Sequence, residues 1–160
     1  NALPAAVDKA LEYGPSAMIE AYISGREITC GVVGNQELEA LPLIEIIPGE
    51  QYEFFNFEAK YQPGATQEIC PARIDETLTR RAQECALTAH KALCCQGYSR
   101  TDMILKADEY FVLETNTIPG MTATSLFPQS AQAAGMSFSE LLDRLIELGM
   151  QARRRQLASG

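Results

Sequence analysis

The order of elements along the chain predicts an α+β fold, a mostly antiparallel sheet with flanking helices. Two observations lead there. Short runs rich in β-branched and aromatic residues are joined by turn-length connections, as hairpins require. Two longer stretches repeat their apolar residues every three to four positions, as helices lying on a sheet do. At 160 residues and 46% hydrophobic, the chain can bury a real core as one domain.

Pro4 suits the first turn of a helix, and Ala5, Ala6, Val7, Ala10 and Leu11 continue a helical pattern toward Gly14-Pro15. Residues 17–23 read as a strand, Ser24-Gly25 as turn material, and Glu27 to Val33 as the next strand, which together suggest a hairpin. Leu41 to Ile47 reads as a third strand closed by Pro48-Gly49. Residues 52–72 begin with dense aromatics (Tyr52, Phe54, Phe55, Phe57) and continue through Glu58-Ala59-Lys60-Tyr61-Gln62-Pro63-Gly64 without sustained periodicity. A loop of that length is more often functional or disordered than idle.

Asp75 is placed to cap a helix running to about Cys95, with Leu78, Ala82, Cys85, Ala86, Ala89 and Leu93 on its buried stripe. His90 reads as a helix residue with no catalytic task, and Cys94-Cys95 as core packing. Two short strands follow near 100–105 and 110–115, then a Thr/Pro/Gly/Ser-rich loop over 116–127, and Pro128 opens a short helix. Ser137 with Glu140 three residues later has the capping-box pattern. Phe138, Leu141, Leu142, Leu145, Ile146 and Leu148 supply that last helix with an apolar face. Arg153, Arg154 and Arg155 read as its solvated end, where cations favour the helix dipole.

A net charge of −8 lacks the basic footprint of a nucleic-acid binder. No apolar run approaches the ~20 residues that span a bilayer, so no membrane partner is expected. The five cysteines (Cys30, Cys70, Cys85, Cys94, Cys95) are odd in number and form no CxxC pair, which points away from a disulfide framework or a zinc knuckle and toward a reduced, cytoplasmic protein. The chain opens on Asn1 rather than Met and runs straight into a helical pattern, with no signal peptide; the expectation is a fragment.

The densest chemistry lies in residues 100–126. Arg100 and Asp102 share one strand face, as do Glu114 and Asn116, because side chains two apart point the same way. A three-residue loop, Ala107-Asp108-Glu109, would set Lys106 opposite Tyr110, Leu105 opposite Phe111, Met103 opposite Leu113, Asp102 opposite Glu114 and Arg100 opposite Asn116. A two-residue loop would slip the register by one, put Asp102 opposite Leu113 and separate the polar groups. The first register is therefore expected. It gathers two carboxylates and an amide oxygen, a hard set suited to Mg²⁺, beside a fixed cation that can stabilise developing negative charge. The plain alternative is an exposed hairpin face with ordinary surface charges; the apolar residues flanking these charges argue that the strand is buried. In the next segment Gly120 permits close backbone approach, and Thr122, Thr124 and Ser125 add hydroxyls beside free N–H groups able to bind anions.

Glu114-Thr115-Asn116-Thr117-Ile118-Pro119-Gly120-Met121-Thr122 through Ser125-Leu126 resembles the C-terminal signature of D-alanine–D-alanine ligases, members of the ATP-grasp superfamily. Gly97-Tyr98-Ser99-Arg100-Thr101-Asp102 is similar to that family's preceding Arg-x-Asp strand. Glu58-Ala59-Lys60-Tyr61 resembles its mobile active-site loop, expected here over about 56–71. Glu20-Ala21-Tyr22-Ile23-Ser24-Gly25-Arg26-Glu27 resembles its adenine-binding hinge. The four matches keep the family's order and similar spacings from about residue 17 to 150.

The resemblance implies that Asp102, Glu114 and Asn116 hold two Mg²⁺ ions (Mn²⁺ in their place is possible), with Glu114 bridging them. It implies that Arg100 and the Gly120 N–H stabilise the tetrahedral intermediate and the transferring phosphoryl group. Ser125 and Leu126 would bind the carboxylate of a second D-alanine, Lys60 the nucleotide phosphates, and Tyr61 would help close the loop. Residues Glu20, Ala21, Tyr22 and Ile23 would hold adenine, Glu27 the ribose, and Phe54 and Ile104 would pack on the base. The implied reaction is ATP-dependent joining of two D-alanines through an acyl phosphate, for peptidoglycan precursor synthesis. The family's N-terminal substrate domain and first ATP-grasp subdomain find no match here. The expectation is that residues 1–160 are the C-terminal part of an ATP-grasp domain, lacking roughly a hundred residues or more, inactive alone and homodimeric when complete. Alternatives are a D-alanine–D-lactate ligase, disfavoured by Tyr61, another ATP-grasp carboxylate–amine ligase, and a non-catalytic nucleotide-binding module.

Overall fold

A computed structural model describes residues 2–49, 66–122 and 124–158. Its elements in chain order are α1 (Leu3–Leu11), β1 (Arg26–Gly34), β2 (Leu38–Ala40), β3 (Ile44–Pro48), β4 (Thr66–Ile69), α2 (Glu76–Ala92), β5 (Gly97–Lys106), β6 (Glu109–Asn116), α3 (Leu126–Ala133) and α4 (Phe138–Ala158). The sheet runs β4-β3-β1-β5-β6, with β2 beside the far end of β1, and its pairings are antiparallel. The α+β expectation holds.

β1 is the centre. One edge pairs with β5 along its whole length, and the other takes β3 at Glu27–Thr29 and β2 at Val32–Gly34. Both edges are filled, so residues 17–23 cannot pair with β1 in the expected hairpin. They are irregular, and Met18, Ile19 and Tyr22 stay exposed. The expected strand Leu41 to Ile47 is likewise divided. Pro42, which has no N–H to give a ladder, lies in the gap between β2 and β3. At the far end of the expected loop, Thr66–Ile69 instead extends the sheet as β4.

Alternation along β1 and β5 gives the sheet two unlike faces. Ile28, Cys30, Val32, Met103 and Leu105 point to one side and pack with Ala82 and Ala86 of α2. Asp75 caps α2 as expected, accepting from the N–H groups of Thr77 and Leu78. Leu93 and Cys94, expected in the core, are exposed where the helix ends, with Cys94 in the left-handed region at φ 53°. His90 takes the inward position instead, at 1% exposure, with Nδ1 2.7 Å from Ser99 Oγ. Burial lowers its pKa, partly offset by the backbone bond from Cys95.

On the other face, Val33, Leu41, Phe127, Ala131, Leu141 and Leu148 join α3 and α4 to the sheet. The capping box forms: the Ser137 N–H donates to Glu140 Oε2 at 2.8 Å, and the Glu140 N–H to Ser137 Oγ at 3.3 Å. Only part of the expected apolar face of α4 is covered, since Phe138, Leu142 and Ile146 are exposed. α3 begins two residues before Pro128, which falls in its first turn. The helix α1 forms but buries none of its residues. The five cysteines make no disulfide, and among the described residues no helix is long and apolar enough to cross a membrane.

Candidate active site

The β5–β6 hairpin brings Asp102 opposite Glu114 and Arg100 opposite Asn116 as expected, but by another route, and the expected three-residue loop and the pairs Lys106–Tyr110, Leu105–Phe111 and Met103–Leu113 do not form. Its turn has two residues, Ala107 and Asp108, both left-handed (φ 48° and 63°), so Lys106 faces Glu109, Leu105 faces Tyr110, Ile104 faces Phe111 and Met103 faces Val112. That is the slipped register. A β-bulge then follows, in which Leu113 is the unpaired extra residue, and beyond it Asp102 faces Glu114 and Arg100 faces Asn116. The extra residue sits in the strand rather than in the turn. It reverses the alternation, so Glu114 and Asn116 point to the face that carries Asp102.

Their contacts show the convergence. Arg100 binds Asp102 in bidentate fashion, Nε to Oδ1 at 2.9 Å and a terminal N–H to Oδ2 at 2.8 Å. Asn116 Nδ2 donates to Asp102 Oδ2 at 3.1 Å and to Glu114 Oε1 at 3.4 Å. On β1, the Thr29 hydroxyl donates to Asp102 Oδ1 at 2.5 Å. The Arg100 side chain is 9% exposed. Burial alone would lower its pKa, but Asp102, then Glu114 and Glu27, outweigh that and raise it, so its charge is fixed. Asp102 thus bonds the guanidinium directly, and Glu114 and Glu27 add negative charge to its surroundings.

Among the described residues no trio of His, Cys, Asp or Glu gathers to hold a metal ion. The set here is two carboxylates and an amide, which suits Mg²⁺ when phosphate oxygens complete its shell.

Arg100 and Asn116 line a cleft of about 380 Å³ with Glu68, Ile118, Pro119, Gly120, Thr122, Thr124, Ser125 and Leu126. The size is that of a small-molecule site. Ser125 is the N-cap of α3, yet its hydroxyl does not cap the helix. It accepts from the Thr122 N–H at 3.0 Å and pairs with Thr122 Oγ1 at 2.8 Å. The first-turn N–H groups of α3 therefore lack a side-chain cap, and such groups favour anions. Leu126 anchors this end by burying its side chain against Ile44 and Ile46. A Cβ on Gly120 would lie 2.9 Å from Ser125 Oγ, so glycine lets the loop close on the helix start.

A second cleft holds the expected nucleotide end. Tyr22, Ile23, Glu27 and Ile104 line it with Gly25, Arg26, Glu45, Ile46, Ile47 and Pro48. Glu20 and Ala21 are exposed and do not line it. Gly25 is required here, because a Cβ would lie 2.5 Å from both Ile104 Cγ2 and the Leu105 carbonyl oxygen. Phe54, Lys60 and Tyr61 lie outside the described residues.

Sequence reading missed three participants. Thr29 stands inside an apolar run with no motif around it, although Glu27 and Thr29 alternate with Ile28 and Cys30 and so share a face. Glu45, 5% exposed, binds Arg26 Nε at 3.0 Å and Arg73 Nε at 3.3 Å, tying β1 to the segment before α2. Burial raises its pKa, but the bonds from Arg26 and Arg73 outweigh this and lower it. Gln129 of α3 donates to Glu68 at 2.6 Å and to the Thr124 carbonyl at 3.0 Å, closing the cleft rim. Glu45 and the Glu68–Gln129 pair carried no local signal; their partners are distant in sequence.

Residues 1–147 match the protein family described as the D-ala D-ala ligase C-terminus. The chain belongs to that family. It is 64% identical over 149 residues to a D-alanine–D-alanine ligase of Syntrophobacter fumaroxidans, covering 93% of this chain and 48% of the relative. Against the same enzyme of Desulfotalea psychrophila it is 58% identical over 135 residues, covering 84% and 42%. A D-alanine–D-alanine ligase from Bacillus anthracis complexed with ATP superposes with a TM-score of 0.82 at 36% identity, covering 96% of this chain and 48% of that one. The VanG D-Ala:D-Ser ligase of Enterococcus faecalis gives 0.78 at 39% identity, covering 92% and 43%. The chain spans about half the length of these curated relatives.

Proposed function

We propose that this chain is the nucleotide- and metal-binding C-terminal part of an ATP-dependent D-alanine–D-alanine ligase, with the substrate domain and first ATP-grasp subdomain supplied by the rest of the full-length protein. The observation that carries this is the joining of Arg100, Asp102, Glu114 and Asn116 on one sheet face, with Arg100 and Asn116 lining a cleft that Gly120, Ser125 and Leu126 also line.

In this reading Asp102, Glu114 and Asn116 would hold Mg²⁺, which would neutralise phosphate charge there. Arg100 and the Gly120 N–H face the transferring phosphoryl group and the tetrahedral intermediate, where preorganised donors are worth most. Ser125, the Leu126 N–H and the start of α3 take the carboxylate of the second D-alanine. Glu27 holds the ribose and Ile104 packs on the base in the second cleft. Lys60 and Tyr61 lie outside the described residues; in this reading Lys60 would bind the nucleotide phosphates and Tyr61 would help exclude water that hydrolyses the acyl phosphate. The chemistry asks mainly for positioning: ATP transfers its γ-phosphoryl group to the first carboxylate and leaves as ADP, and the second amine then attacks the acyl phosphate, forming the amide as inorganic phosphate and the amine's proton depart.

The test is ADP release by the full-length protein with D-alanine, with D-lactate or D-serine offered as competing second substrate. D-alanine-dependent ADP and phosphate release is expected, with the dipeptide as the main product by mass spectrometry and no turnover from residues 1–160 alone. Preferential use of D-lactate or D-serine would reassign the second substrate. Release of no ADP in response to D-alanine would remove the ligase reading.

A further inference from the structure

Thr29 is 2% exposed and sits directly opposite Asp102 in the β1–β5 ladder. Its hydroxyl reaches Asp102 Oδ1 at 2.5 Å, while the backbone acceptor also in range, the Thr101 carbonyl, lies at 3.3 Å. A buried hydroxyl needs only one acceptor to be satisfied, and the carbonyl would serve. The shorter contact goes to the carboxylate.

We propose that Thr29 is a positioning residue that fixes the Asp102 carboxylate for a divalent cation at the nucleotide phosphates. The inference rests on the functional reading above, since it takes Asp102 as a cation ligand. Arg100 cannot do this task alone. Its two bonds fix the guanidinium relative to the carboxylate, but both groups stand on the same strand, so this bond ties Asp102 to no neighbouring strand. Thr29 differs in kind. It is β-branched, held at χ1 and set in the central strand, so its oxygen is a fixed point. Asn116 Nδ2 holds the other carboxylate oxygen from β6 at 3.1 Å. Asp102 is therefore pinned at Oδ1 from one neighbouring strand and at Oδ2 from the other. Partners that orient metal ligands commonly contribute about 10–100-fold to metal affinity.

The test measures Mn²⁺ binding to the full-length protein by electron paramagnetic resonance, with a non-hydrolysable ATP analogue present. Thr29→Val keeps the branched shape and removes the hydroxyl. Thr29→Ser and Thr29→Ala both lose the methyl group and differ only in the hydroxyl, so their comparison holds even if the valine variant folds poorly. Weaker binding by about tenfold or more is expected for Thr29→Val and Thr29→Ala, with Thr29→Ser near wild type and melting temperatures of the metal-free serine and alanine variants alike. Equal Mn²⁺ affinity in the serine and alanine variants, or wild-type affinity in Thr29→Val, overturns the proposal. If wild type shows no Mn²⁺ binding that Asp102→Asn abolishes, the functional reading itself falls, and this inference with it.

Discussion

The two faces of β5 come from the same ten residues and meet opposite requirements. One face carries Ser99, Thr101, Met103 and Leu105, all buried against α2 and the strands beside it. The other carries Arg100, Asp102 and Ile104, which line clefts or bond across to β1 and β6. On the first face, shape and apolarity suffice. On the second, like charges are crowded together and held by a guanidinium, an amide and a hydroxyl. Period-two alternation thus lets one strand anchor the fold and build the site without either set of side chains entering the other's environment.

That contrast can be broken from either side. Asp102→Ala should have the largest effect. It removes the partner that binds both sides of the buried Arg100 fork, so activity of the full-length enzyme should fall by about 10³-fold. Stability in chemical denaturation should drop by about 3 kcal/mol. Wild-type turnover in this variant would show that the face is not catalytic.

On the opposite face, Met103→Ala should cost about 2–4 kcal/mol in the same denaturation experiment, because Met103 is fully buried. Nucleotide affinity of the folded fraction should be unchanged; a large loss would mean that the faces are coupled.

Gly31→Ala sharpens the comparison on the site side. A Cβ there would lie 3.0 Å from both Leu41 Cδ1 and Phe127 Cε2, with Phe127 in the first turn of α3. We expect about 1–3 kcal/mol of destabilisation and a raised KM for the second D-alanine, with the KM for ATP little changed.

The smallest effect concerns pH on the helix face. Burial lowers the His90 pKa below its ordinary value of 6.5, so the folded protein favours the neutral ring. A base depressed by folding contributes stability that is present above its unfolded pKa and lost as pH falls through the folded one. Melting temperature should therefore fall as pH drops from 7 through the histidine range. His90→Gln should flatten that slope, and an equal slope in the variant would assign the loss to other groups.

Local signals were legible wherever a short segment carried its own instruction. The Asp75 cap, the Ser137–Glu140 box and the alternation of Arg100 with Asp102 each depend on residues within a few positions. The failures share one cause. Residues 17–23 have strand-like composition, but β3 and β5 take both edges of β1, and edge occupancy is settled by segments far along the chain. Leu93 lost the inward position to His90 because α2 ends at Ala92. In the hairpin, the sequence pattern places the extra residue needed for Asp102 to face Glu114 in the turn, whereas the fold spends it in the bulge at Leu113.

Fold class, helix caps and the polar residues that share a strand face all follow from periodicity and local hydrogen bonding along the chain. Which strands meet, where the bulge falls and the joining of Thr29, Glu45 and Gln129 to the site were fixed only when distant segments packed together. Those outcomes depend on contacts between residues many positions apart, and no pattern inside a short stretch of chain encodes the partner.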